Sequence, residues 1–510
     1  MKKIFFSFLC LLFIRINVGQ NAKVSWGPEL FKPRKTDISI LIGSDKNSFY
    51  CLRTISSFFS ITDYAFEKFS KSTLTLEYIK QLRMPEINGR KLQFEKIFLL
   101  DSTLIVFASR YDSDQDKFSA YVEKINAHDG LLISAPVEID FIVSYKKRNR
   151  GSFNFILSND STKILIAHNE PYDKYLNEKF SYKLIDDKAN TIWSAALELP
   201  YRDRYVTMSN YCVDNDGKVF MLASIKKEKS ERERNKPSYS YDLVSYDNKS
   251  KTLNEMQITL GDKYISDISF VITPKGNIVA GGFYSNKNAD GLAGSFYLSI
   301  DKETNKILLQ GTTDLTSEFL SEFMSERRAN KHKELYNYKI DHLVSQNDSG
   351  LYMVAEQFYI NVVTTCSPRG GCTTSYYYYY NDIIVVNFNS DASVRWIKRI
   401  PKTQISTNDY GYYSSYSFVM TKDKLNFIYN DHPKNLTGER KYPKNGVNRR
   451  MITVLSTLDS KGNLSKTLIL PAKDERIYTR PKISLQLGTN QSLFYAIRKK
   501  KFKFGIINYD

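Results

Sequence analysis

The chain has 510 residues, 42% of them hydrophobic and 14% aromatic, which is too apolar for a disordered polypeptide and enough for a large core. Its 73 Lys and Arg against 55 Asp and Glu give a formal charge of +18, a surplus that favours anionic partners. No run reaches the roughly 18 apolar residues of a membrane-spanning helix, and five His and five Cys without paired ligand spacing exclude zinc-ribbon and H-E-x-x-H chemistry.

Met1, Lys2 and Lys3 precede a short apolar run, residues 4–14, the pattern of a secretory signal too short to cross a bilayer. Residues 1–22 are therefore expected to be a signal peptide and residues 23–510 one domain in an exported, periplasmic, outer-surface or secreted setting. Cys10 follows Leu9 where a lipid-anchoring box wants a small residue, and loss of Lys2, Lys3 and Arg15 leaves the rest strongly basic.

From residue 37 onward, runs with alternating apolar and polar side chains recur between tight polar turns. Such alternation suits half-buried strands, whose successive side chains face opposite ways. First strands are expected at 37–42, 94–99, 153–157, 208–213, 267–272, 341–345, 416–420 and 483–487. Each is followed by a turn rich in Asp, Asn or Gly, such as DNDG at 214–217, and then by a second and a third strand. Asp214, Asp216 and Gly217 fit that hairpin turn, since the other ligands of a calcium loop are missing. Seven units have a fourth strand. The eighth lacks one, and VSWGPEL at 24–30 copies the heads of two fourth strands, so the N-terminal segment is expected to complete it. The fold class predicted is all-β, an eight-bladed β-propeller closed by the N-terminal strand, with seven blades as the alternative.

One helix is predicted over 316–335, with Thr316 or Ser317 as cap and Phe319, Leu320, Phe323 and Met324 as its apolar stripe. Cys366 and Cys372 flank the turn sequence SPRGG and are expected to form a disulfide, whereas Cys51 and Cys212 sit in strand patterns as buried free thiols. In the tyrosine run 376–380, strand periodicity puts Tyr376, Tyr378 and Tyr380 on one face, where exposed rings suit sugars or peptides.

The segments DDKANTIW at 186–193 and NSDASVRW at 389–396 resemble the repeat of quinoprotein-like (PQQ-like) propellers, in which an Asp turn precedes a Trp on the outer strand. The chain is similar in blade layout to secreted bacterial propeller proteins of that kind. The resemblance implies a binding scaffold more readily than a quinone enzyme, with no cofactor and no metal.

Every long insertion and basic run falls on the connections between second and third strands or between blades. Long loops cost ordering entropy and are the usual carriers of function. Binding is therefore assigned to Lys146, Lys147, Arg148, Arg150, Arg327, Arg328, Lys499, Lys500 and Lys501 together with Tyr376, Tyr378 and Tyr380, and no catalytic residue is assigned. The partner expected is an anionic polysaccharide, an envelope surface or another envelope protein, with nucleic acid disfavoured. Two other functions stay open: a polysaccharide-degrading enzyme with carboxylates at the channel mouth, and a structural component of an envelope assembly. Converging carboxylates in a deep pocket would favour the enzyme.

Overall fold

The computed structural model describes residues 22–57, 60–346, 350–368, 370–422, 424–436, 441–448, 450–470 and 477–509. Apart from Ala22, the expected signal peptide, with Lys2, Lys3, Cys10 and Arg15, lies outside the described residues. The chain is nearly all-β, and its strands pair antiparallel in sequence order. Among the described residues, besides two small two-stranded sheets, they form eight sheets that each follow a four-stranded path. Their first strands are Thr36–Ser44, Gln93–Leu100, Ser152–Leu157, Val206–Val213, Tyr264–Ile272, Tyr338–Ser345, Tyr416–Met420 and Tyr478–Gly488, so each predicted run lies inside one of them.

Burial explains the composition of the strands. In the fifth sheet the second strand, Ile278–Ser285, is buried at every position, while the outer strand, Ile307–Asp314, alternates between exposed and half-buried. The inner strands are covered on both faces because neighbouring sheets stack face to face, and the outer strands are covered least. Phe220, Leu243, Ile278 and Phe296 form such a layer between the fourth and fifth sheets. Ile38, Phe49, Leu493 and Phe504 form another between the eighth sheet and the first. Meander sheets stacked in this way make a β-propeller arrangement.

The outer strand of the eighth sheet comes from the start of the sequence. Ala22–Trp26 pairs with the strand Lys501–Tyr509, with Ala22 opposite Tyr509 and Trp26 opposite Gly505. Trp26 stands edge-on to Phe494 at 4.9 Å. The other two tryptophans sit on outer strands and reach the turns of the following sheet. Trp396 donates from Nε1 to the Ser460 carbonyl at 3.1 Å, and the Trp193 indole lies against Gly217, whose φ of +89° closes the turn that begins at Asp214. Asp214 Oδ1 accepts from the amides of Asp216 and Lys218 at 2.9 and 2.8 Å, as a hairpin turn requires.

The single helix predicted over 316–335 is instead two short ones, α1 (Ser317–Ser321) and α2 (Glu326–Ala329). Thr316 caps α1 by accepting from the Phe319 amide, but Ser325 returns to extended backbone and starts α2 afresh. Phe319, Leu320 and Met324 are buried against the fifth and sixth sheets as the apolar stripe requires. Leu335 leaves the helical region altogether, since Leu335–Tyr336 pairs with Gly291–Leu292. Cys366 and Cys372 are disulfide-bonded. Cys51 and Cys212 are free, the first buried and the second half-buried.

Candidate functional site

Two adjoining clefts, of about 520 and 560 Å³, open around the connection between the second and third sheets. Asn149, Glu170, Tyr172 and Asp203 line both. The connection is a single 3₁₀ turn, Lys147–Asn149. Ser144, fully buried, holds it from below by donating to the Asn149 carbonyl at 3.2 Å. Asn149 then bridges to the next loop, donating to the Tyr172 carbonyl and accepting from the Tyr172 amide, both at 2.9 Å. Gly151, at φ +79°, follows because a Cβ there would come within 2.3 Å of the Asn169 carbonyl oxygen. The turn is therefore rigid while its cations project: Lys146, Lys147 and Arg148 are exposed, with no ion pair among the described residues. Arg150 differs, its guanidinium lying 4.4 Å over the Phe118 ring.

Exposed aromatic rings frame the same clefts: Tyr145 and Tyr172, which line them, are 75% and 54% exposed. Tyr175, 68% exposed, follows on the same loop as Tyr172, with the Lys174 ammonium 4.6 Å over its ring. Sequence reasoning missed them; the signals were Tyr145 directly before the basic run and the EPYDKYL segment at 170–176, which joins a second strand to a third.

A histidine and carboxylates form a network behind Glu170, which lines both clefts. His168 Nδ1 lies 2.7 Å from Asp140 Oδ2, its Nε2 lies 3.5 Å from Glu170, and Lys183 lies 3.3 Å from the other Asp140 oxygen. Burial by itself would lower the His168 pKa, but hydrogen bonding and attraction from Asp140 and Glu170 raise it to about 9. The imidazole is therefore positively charged near neutral pH. Glu178 is pushed up to about 8 by burial and by its hydrogen bond with Asp203, so it holds a proton near neutral pH beside the cleft.

A further cleft, of about 250 Å³, lies near Lys227, Lys236 and Lys263. Two of these cations are committed: Lys236 lies 2.7 Å from Glu233, and Lys263 lies 3.7 Å from Asp314 and 3.9 Å over the Tyr284 ring.

The remaining predicted residues do not gather at the two clefts. Arg327 and Arg328 are exposed on α2. In the turn before Lys501–Tyr509, the Lys500 carbonyl accepts from the Lys32 amide at 2.7 Å and Lys501 pairs with Glu29, so this turn anchors the N-terminal segment while the Lys499 and Lys500 side chains stay exposed. Of the tyrosine stripe only Tyr376 is exposed, whereas Tyr378 and Tyr380 are buried. Gln404–Thr407 pairs alongside that strand, Tyr410 stacks near Tyr378 at 5.7 Å, and Lys482 donates to the Tyr380 hydroxyl at 2.7 Å.

No protein-family model matches the chain, and no curated protein sequence does. Among solved structures it is similar to the WD40 domain of SCAP from fission yeast, at 8% identity and TM-score 0.43 over 96% of this chain and 95% of that one. It is also similar to the β-propeller domain of the Trilobed protease from Pyrococcus furiosus, at 10% identity and TM-score 0.35 over 89% and 98%. An acylaminoacyl peptidase matches at 9% identity and TM-score 0.37 over 91% of this chain and 58% of that one. At TM-scores this low the likenesses carry no argument about what this chain does. No helix among the described residues is long and apolar enough to cross a membrane.

Proposed function

We propose that the protein is an exported, non-catalytic binding scaffold, an eight-bladed propeller closed through Ala22–Trp26, and that an anionic partner docks in the paired clefts. The eight sheets and the hydrophobic layer between the eighth and the first support the closed architecture. One observation carries the functional part: three exposed cations with no ion pair among the described residues, on a rigid turn, face clefts edged by the exposed rings of Tyr145 and Tyr172. Unpaired cations attract anions, and rings with an apolar body and polar tip add contact at small entropic cost.

The test is retention on immobilised dextran sulfate. Replacing Lys146, Lys147 and Arg148 with Ser should bring elution to clearly lower salt. The same number of changes at Lys188, Lys275 and Lys461, which lie in the short turns, should leave it nearly unchanged. Equal shifts for both sets would mean that net charge alone acts. Export has its own check: the mature N-terminus found outside the cytoplasm should lie near residues 19–22.

A second reading, polysaccharide hydrolysis, is favoured by the convergence of Glu170, Glu178 and Asp203 on one cleft. Turnover of a chromogenic polysaccharide that disappears in Glu178→Gln would establish it in place of the scaffold.

A further inference from the structure

The long hairpin of the sixth sheet outruns the sheet it belongs to. Its first neighbour, Tyr338–Ser345, pairs with Leu351–Cys366 only as far as Tyr338 opposite Gln357. The hairpin itself continues, pairing with Cys372–Phe388 until Cys366 stands opposite Cys372. One flank of this extension is covered, since Gln404–Thr407 pairs with it and the Asn408 amide donates to the Tyr376 carbonyl at 2.9 Å. The other flank, along Leu351–Cys366, has no strand beside it beyond Phe358 among the described residues.

The phase of the ladder shows which groups that flank presents. Ser367 donates to the Gly371 carbonyl at 2.9 Å, so residues of odd number turn their backbone groups toward the paired strand and those of even number turn them outward. Phe358, in the outward phase, donates to the Asn337 carbonyl at 2.9 Å. Ile360, Val362 and Thr364 come next, and their outward N–H and C=O groups meet no other backbone among the described residues. The strand position beside them ends at Asn337 because Leu335–Tyr336 is diverted to Gly291–Leu292.

Bare edges are normally guarded by charge, proline or a bulge, since they template pairing with another chain. Here the guard is missing. Between Gln357 and Asn381 the only charged side chain is Arg369, in a chain that is 25% charged. Ile360 and Val362 are about half exposed, and the disulfide holds the tip. Charge lies instead at the root of the edge. Arg327, Arg328, Lys331 and Lys333 are exposed, with no ion pair among the described residues, on the segment that leads to Tyr336. The Tyr336 carbonyl in turn accepts from the Gln357 side chain at 3.0 Å, so the basic segment ends where the bare edge begins.

The geometry points to strand addition: the edge at Ile360, Val362 and Thr364 takes up an extended, acidic segment of a partner protein. Main-chain hydrogen bonds supply the affinity, alternate apolar side chains lie along Ile360 and Val362, and carboxylates meet the basic segment. A second copy of this chain fits less well. Antiparallel self-pairing centred on Val362 engages only a few residues a side, short of the ~1,000 Å² of a stable interface, and brings two strongly basic chains together. This assignment is independent of the paired clefts.

The experiment is fluorescence anisotropy of the full chain with a labelled acidic peptide of about eight residues in which Glu and Val alternate. Val362→Pro removes one outward N–H and leaves the inward ladder intact, so it should weaken binding at least tenfold with an unchanged melting temperature. Arg327→Ser with Arg328→Ser should weaken binding several-fold at low salt and little at high salt. If Val362→Pro does not fold, the same peptide N-methylated at alternate amides and offered to the wild type should show the same loss. Absence of binding to the wild type, or equal binding of the proline variant and of the methylated peptide, overturns the assignment. Sedimentation showing a dimer that Val362→Pro abolishes would also overturn it, since the occupant would then be a second copy.

Discussion

The Tyr412 hydroxyl donates to Asp37 Oδ2 at 2.5 Å, joining the connection between the sixth and seventh sheets to the first strand of the first sheet. Arg480, from the eighth sheet, donates to the same oxygen at 3.0 Å and lays its guanidinium 3.8 Å over the Tyr412 ring. Three separate parts of the sequence thus meet on one carboxylate. Tyr412→Phe should cost about 1–2 kcal/mol by deleting one hydrogen bond, and Asp37→Ala more, because Arg480 then loses its charge partner. Thermal unfolding of both variants checks this, and an unchanged midpoint for Asp37→Ala would refute it.

Trp26 is expected to matter more than its half-buried state suggests. It covers Phe494 and lies under the Lys503 ammonium, 4.2 Å from its ring. Trp26→Ala should cost on the order of 2 kcal/mol, and deletion of residues 22–31 should also expose the edge of Lys501–Tyr509 and promote aggregation. Light scattering during heating separates the two, since only the deletion should scatter well below its unfolding midpoint.

The network at His168 gives a pH dependence with a definite sign. The folded pKa, about 9, lies above the ordinary value of 6.5. Its contribution is therefore full below pH 6.5 and is lost as pH rises through 9, by an amount on the order of 3 kcal/mol. Glu178 has the same sign over a lower window, between its ordinary 4.5 and about 8. Urea unfolding of wild type and His168→Asn should converge between pH 6.5 and 9, and parallel curves would show that His168 does not titrate there.

Lys402 is wholly buried and donates to Glu356 at 2.5 Å, to the Tyr380 carbonyl at 2.9 Å and to Gln404 at 3.1 Å. Lys402→Met strands a buried carboxylate and should cost roughly 3–5 kcal/mol, whereas Lys402→Met combined with Glu356→Leu should recover much of that loss. A double-mutant cycle without coupling would refute the pairing.

The strands were legible because inner ones such as Ile278–Ser285, buried on both faces, read as apolar runs and outer ones such as Ile307–Asp314 alternate, and the pattern recurs through eight repeats. The N-terminal strand was legible too, from the likeness of the segment around Trp26 to those around Trp193 and Trp396. The break between α1 and α2 was not, since Phe319, Leu320, Phe323 and Met324 keep helical spacing across it and Ser325 reads equally well as a helix interior or a new cap. Burial of Tyr378 and Tyr380 depends on residues 404–411 folding back over the hairpin, a tertiary event that local sequence does not encode. The clefts were only half visible. Lys146, Lys147 and Arg148 announce themselves as a charge run, but the bridge from Asn149 to Tyr172 that shapes the clefts joins two loops without a motif in either.

Pairing Ala22–Trp26 with Lys501–Tyr509 also sets an order of events in biosynthesis. Ala22–Trp26 is made long before Lys501–Tyr509, so a nascent chain that has not reached residue 501 cannot complete the eighth sheet. Closing a loop of nearly the whole sequence length is the slowest kind of contact to form, and until it does, the edge of Lys501–Tyr509 stays open to other chains. A chain stalled anywhere before residue 501 therefore carries Ala22–Trp26 as an orphan strand.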